Sequence, residues 1–220
     1  MLSKNLLVRL LRGQILQGFS PIVVVAGKRG CGKTCATMKL AEAVWPRYDF
    51  NRHHCYSLVE YMKAVNEISE GGCLAIEESG TSLDRMRWQS PTNRIFNEAT
   101  QINRYKNFVT FLVLPDVSLL ATNHIKMVEY MIWATRKGAI SVYRNFRIPI
   151  DISNKLMHVY NLRRFTELPL PSPANYEKYI ARDKSEKDKI REKLMKEAMR
   201  LEAPKEEKIY DEIPQMNFES

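Results

Sequence analysis

At 220 residues, 45% hydrophobic and 27% charged, the chain suits one globular domain with a small appendage and excludes disordered and fibrous classes. Its net charge is +9, and the first 172 residues, with 23 of the 34 basic and 13 of the 25 acidic groups, carry +10 while the rest carries −1; an anionic polymer is a candidate partner, beside the plainer reading of a soluble basic surface. No apolar run approaches the roughly 20 residues of a membrane span, and Arg9 and Arg12 interrupt the N-terminal apolar pattern unlike a signal peptide, which points to the cytoplasm.

Leu2, Leu6, Leu7, Leu10, Leu11 and Ile15 recur at spacings of three and four, which predicts an amphipathic helix over 2–17 ending near Gly18. "PIVVV" is too short and too β-branched for a helix and reads as a fully buried, central parallel strand. "TCATMKLAEAVW" predicts a helix stopped by Pro46. Ser57 with Glu60 three positions on forms a capping box for a helix over 57–69, closed by Gly71 and Gly72. "CLAI" is a second buried strand ending in Glu77 and Glu78, Ser90 and Pro91 start a further helix, and "FVTFLVL" is a third buried strand cut off by Pro115. "MVEYMIWAT", the turn "RKG" and "AISVYRNF" predict a hairpin. The fold class is therefore α/β: a mostly parallel central sheet flanked by helices, with an antiparallel edge hairpin and a charged C-terminal helix. The domain expectation is 1–168, then a proline-rich linker over 169–174, then a charged helix and tail over 175–220.

The four cysteines, Cys31, Cys35, Cys55 and Cys73, are expected as thiols, because Cys31 and Cys35 flank Lys33 in a loop that a disulfide would lock. That loop, "GKRGCGKT", matches Gly-x-x-x-x-Gly-Lys-Thr in full, with a strand before it and a helix after it. Its glycines let backbone N–H groups converge on a phosphate and the helix N-terminus adds its dipole. Lys33 reaches the β- and γ-phosphates of ATP and Thr34 ligates Mg²⁺; Gly27, Lys28, Arg29, Gly30, Cys31, Gly32 and Cys35 complete the ATP-binding stretch. A hydrolase of this kind needs a carboxylate for the Mg²⁺ shell and a base for the attacking water, at the end of a neighbouring strand. Glu77 and Glu78 supply one each: Glu77 for the metal through water, Glu78 for catalysis.

Phosphate loop, apolar strand with paired acids, "QINRYKN" and "FVTFLVLP" together resemble the additional-strand P-loop ATPases, and within them the FtsK/HerA-type DNA-pumping motors, over about residues 20–147. In that group an Arg and a small residue precede the third strand, as Arg104 and Asn107 do here, and Ile125-Lys126 is similar to the stretch leading into its antiparallel strands. Two departures stand out. Glu77 replaces the usual Asp, and Leu114-Pro115 replaces the usual Thr-Gln sensor of the γ-phosphate, for which Asp116, Ser118 and Asn123 are the substitutes at hand. The resemblance implies a homo-oligomeric ring that moves double-stranded DNA without reading its sequence, with Arg104, or failing it Arg85, completing a neighbour's site as a trans arginine finger. The small size resembles the genome-packaging ATPases of membrane-containing viruses, which implies a capsid or membrane-associated partner.

Other constellations carry less. "HHC" (His53, His54, Cys55) invites a metal, but three consecutive residues do not readily converge on a tetrahedral ion. Arg87 and Trp88, beside Arg85, mix basic and aromatic character as DNA-backbone binders do, or form a surface loop pinned by one tryptophan. Alternatives to the DNA motor are an assembly or secretion ATPase of the phage-morphogenesis type and a small-molecule P-loop kinase; the paired acids fit attack by water better than the kinase. GTP is not expected, since no Asn-Lys-x-Asp stretch occurs.

Overall fold

The computed structural model describes residues 6–77, 95, 96, 98, 103–120, 122–146, 158–165 and 168–202. Glu78, Arg85, Arg87, Trp88 and the helix start at Ser90-Pro91 lie outside the described residues. Of Arg104 the backbone is described, in a short 3-10 turn over Asn103–Lys106.

Helix α1 (Leu6–Leu16) buries Leu7 and Leu11 of the expected face together with Val8, while Leu6 is 40% exposed. Strand β1 (Ile22–Gly27) is buried at every position and leads through the phosphate loop into α2 (Lys33–Val44). Then come α3 (Phe50–His53), the two-residue strand β2 (His54–Cys55), α4 (Leu58–Glu67) and β3 (Cys73–Ile76). Strand β4 (Val109–Leu114), helix α5 (Thr122–Met127), strands β5 (Val128–Arg136), β6 (Ala139–Phe146) and β7 (His158–Phe165), and helix α6 (Pro173–Glu202) follow.

Among the described residues, seven strands form one sheet in the order β2-β3-β4-β1-β5-β6-β7. The first five are parallel, while β6 and β7 run antiparallel at the margin. Strand β4 thus lies between the phosphate-loop strand β1 and the acid-bearing strand β3, the additional strand of a P-loop NTPase fold. Residues of β1 alternate between two cores. Val23 and Val25 join α1 and α2 on one face; Ile22, Val24 and Ala26 join Tyr61 and Val65 of α4 on the other. Arg12 donates to the carbonyls of Ala43 (2.7 Å) and Val44 (3.1 Å), satisfying the open end of α2 and tying α1 to it.

Several expectations change in detail. Ser57 Oγ accepts the Glu60 N–H at 3.2 Å, but Glu60 returns to the N–H of Tyr56 at 2.8 Å, one residue beyond the reciprocal bond of a capping box. Strands β2 and β7 and helices α3 and α5 extend the predicted set. The expected linker over 169–174 is partly structured: α6 opens at Pro173, and Ser172 N–H donates to Glu42 Oε1 at 2.9 Å. Met1–Arg182 forms one compact unit and Asp183–Ser220 a second. Within the second, Lys189–Glu186 and Arg191–Asp188 pair at 2.9 and 3.3 Å along a solvated helix surface.

Candidate active site

Gly27 has φ +147° and a Cβ there would stand 2.3 Å from the carbonyl oxygen of Ala134 on β5, so the loop leaves β1 where only glycine fits. Gly30 and Gly32 have φ +75° and +85°, which curls the loop back over the start of α2. Gly32 is the residue before α2, and its carbonyl takes the Ala36 N–H at 2.9 Å, leaving the first N–H groups of the helix directed into the loop. An anion placed there meets converging backbone donors. Lys28 and Arg29 are exposed at its rim, Cys31 is buried beneath it, and Cys35 is half-buried on α2.

Lys33 Nζ donates to the carbonyls of Gly27 (2.9 Å) and Lys28 (3.1 Å). These oxygens hold the ammonium across the loop's concave side. Thr34 donates its hydroxyl to Glu77, which stands one residue past β3 and is 9% exposed. Burial alone would raise the Glu77 carboxyl, but the hydrogen bond and charge of His54, the Thr34 hydroxyl and the Lys33 charge outweigh it and hold the group below its ordinary value. Lys33, Thr34 and Glu77 come together across β4, as parallel strand ends on either side of an inserted strand allow.

His54 enters this site, which sequence reasoning missed. Its Nε2 lies 2.9 Å from Glu77 Oε1 and its Nδ1 2.8 Å from the Tyr48 hydroxyl. Both ring nitrogens are occupied, which speaks against the metal reading of "HHC". His53 points elsewhere, accepting the Asp49 N–H at 2.9 Å. The only sequence signal was the buried-strand position of His54 after a capped turn, and two residues are too few for a period. Lys137 at the β5–β6 turn is the other omission: its Cα is 3.4 Å from where a Gly32 Cβ would be, so the hairpin tip closes on the phosphate loop.

Of the proposed γ-phosphate sensors, Asp116 accepts the Ser118 N–H at 2.8 Å and so caps the 3-10 turn Val117–Leu119. Leu114 is fully buried, and the Pro115 carbonyl faces Gly27 N–H at 3.4 Å. Asn107, with φ +48°, is the only described non-glycine residue in the left-handed region.

The Thr34 hydroxyl and Glu77 carboxylate are hard oxygen donors, the set that suits Mg²⁺ when substrate phosphates and water fill the remaining positions. Among the described residues no three His, Cys, Asp or Glu side chains converge as a metal cage. Also among them, no helix is long and apolar enough to cross a membrane.

Strand, phosphate loop and helix, with an acid on the strand beyond an inserted neighbour, define a P-loop NTPase fold of the additional-strand kind. No family model and no curated protein matches the chain. Among solved structures it is similar to the genome-packaging NTPase B204 of Sulfolobus turreted icosahedral virus 2 in complex with sulfate, at 12% identity and TM-score 0.44, covering 69% of this chain and 98% of that one. The N-terminal domain of zonular occludens toxin from Neisseria meningitidis matches at 14% identity and TM-score 0.41, over 66% and 95%. The E. coli MS115-1 HORMA:CdnC:Trip13 complex matches at 17% and 0.36, over 54% and 48%. All three scores are low, and the functional reading rests on this chain's own residues.

Proposed function

We propose that the chain is an ATP-hydrolysing motor that translocates double-stranded DNA as a homo-oligomeric ring, of the genome-packaging kind. The observation that carries the hydrolase part is the meeting of Lys33, Thr34 and Glu77 beneath a glycine loop. On binding ATP, Lys33 exchanges the Gly27 and Lys28 carbonyls for β- and γ-phosphate oxygens, and the α2 N–H groups hold the β-phosphate. Thr34 and, through water, Glu77 would hold Mg²⁺, which would supply charge neutralisation on the phosphates. Glu78 takes the proton of the attacking water, and Arg104 or Arg85 of a neighbouring subunit meets the γ-phosphate.

The DNA part rests on the basic balance of the first 172 residues, on Arg87 and Trp88, and on the motif resemblance. Contacts to phosphates need no base readout, which suits a motor that passes any sequence. The test is hydrolysis by the purified chain with and without double-stranded DNA, with Lys33→Ala as the control. Stimulation by DNA in the wild type and silence in the variant is the expected result. Hydrolysis indifferent to DNA at low salt removes the DNA motor and leaves an assembly ATPase; hydrolysis unchanged in Lys33→Ala removes the phosphate-loop reading.

A further inference from the structure

Glu77 is one methylene longer than the Asp its position resembles, and the added torsion lets its carboxylate sweep a wider arc. A group that must serve one side of a phosphate loop needs that arc restricted. The restriction comes from β2. His54 is 1% exposed, and its ring stacks on Phe50 with centroids 4.6 Å apart and planes at 28°. The backbone is fixed as well: β2 pairs His54 with Ala75, Cys55 O takes the Glu77 N–H at 2.8 Å, and Arg182 Nη1 donates to His54 O at 3.1 Å.

His54 Nε2 lies 2.9 Å from Glu77 Oε1 and Nδ1 lies 2.8 Å from the Tyr48 hydroxyl, so the ring is held from both sides. Tyr48 is 4% exposed, and burial raises its hydroxyl well above the ordinary value, so the hydroxyl keeps its proton. One line of hydrogen bonds thus runs from Tyr48 through His54 to one Glu77 oxygen.

We propose that His54, oriented by Tyr48, is the positioning residue of the metal-site acid: it holds one Glu77 oxygen against β2 and keeps the carboxylate turned toward Thr34 and the Mg²⁺ shell. The proposal rests on the triphosphatase reading of this site. It makes the Glu77 and His54 pair a substitute for a shorter acid that needs no such tether. A histidine serving only as packing would affect stability and leave the metal alone.

The experiment measures Mn²⁺ as the Mg²⁺ stand-in, by electron paramagnetic resonance of the free ion, in the presence of a non-hydrolysable ATP analogue. His54→Ala is expected to weaken Mn²⁺ binding by about tenfold, within the range for a lost partner of a metal-ligating side chain. The Mg²⁺ concentration for half-maximal hydrolysis should rise in parallel, while affinity for the metal-free analogue stays within about twofold. His54→Gln, whose amide N–H reaches the same oxygen, should recover most of the loss, and Tyr48→Phe should show a smaller loss of about threefold. Wild-type Mn²⁺ affinity in His54→Ala, whatever its melting temperature, overturns the proposal while leaving the triphosphatase intact. Should His54→Ala not fold, Tyr48→Phe decides: unaltered Mn²⁺ affinity there overturns it equally. A wild-type protein that neither binds the analogue nor hydrolyses ATP takes the triphosphatase reading down, and the proposal with it.

Discussion

Asn175, in the second position after Pro173 on α6, is the polar pin between that helix and the segment beneath it. It is 6% exposed; its Oδ1 accepts the Phe50 N–H at 2.9 Å, and its Nδ2 donates to Glu42 Oε1 at 2.9 Å and to Tyr48 O at 3.2 Å. Asn175→Ala removes all three bonds. The buried Phe50 amide is orphaned, which costs about 1–3 kcal/mol, and the other two bonds are worth about 1 kcal/mol each. Glu42 limits its own loss, because it keeps Ser172 N–H at 2.9 Å and Ser172 Oγ at 2.6 Å. With the Glu42 bond discounted, the sum is about 2–4 kcal/mol. With a urea dependence of about 2 kcal/mol per molar, the midpoint should fall by about 1–2 M. Urea titration followed by circular dichroism and tryptophan fluorescence reads this directly. A loss under about 0.5 kcal/mol would refute the assignment of Asn175 as the structural pin, since surface substitutions lie in that range.

Gly27→Ala forces a Cβ to 2.3 Å from the Ala134 oxygen at φ +147°; it should cost at least about 2 kcal/mol in thermal melting and abolish binding of a fluorescent ATP analogue. Native-state alkylation at pH 8 should spare Cys55, whose buried thiol is pushed up to about 12, and Cys73, raised further by burial, while Cys35 labels first and is protected by MgATP; peptide mapping checks the order. Burial would raise the Glu42 carboxyl, but its bonds from Ser172 and Asn175 and the Lys39 charge hold it below its ordinary 4.5. Its stabilisation is therefore full above pH 4.5 and lost as pH falls through the lower folded value, and Glu42→Gln should flatten the acid limb of a stability-pH curve. For the ring, Arg104→Ala and Glu78→Gln subunits, each inactive alone, should regain partial hydrolysis when mixed; no recovery with Arg104 or Arg85 variants counts against a shared site.

Local sequence determined a good deal of this molecule, because certain features depend on neighbours along the chain. The burial of β1, β3 and β4 follows from unbroken runs such as "IVVV" and "FLVL", which have no polar face to offer water. The phosphate loop is likewise local: Gly27, Gly30 and Gly32 take positive φ within a few residues of Lys33 and Thr34, so their spacing alone foretells the cradle. The β5–β6 turn was legible for the same reason, with Gly138 at φ +77°.

Tertiary structure decided what depends on strand order. That β4 inserts between β1 and β3, which sets the gap across which Thr34 meets Glu77, is a matter of pairing and not of any local pattern. His54 lies 23 residues from Glu77 in the chain and reaches it only because β2 pairs with β3 at the sheet edge. Strand β7, with Asn161, Arg163 and Arg164 within it, has too mixed a composition to announce itself and exists through its ladder to β6. Asn175 is polar and ordinary in sequence, and becomes a pin because a buried Phe50 amide, 125 positions away, has no helical or sheet partner. Propensity and glycine geometry act over a few residues, whereas hydrogen-bond satisfaction in a buried sheet is settled across the whole unit.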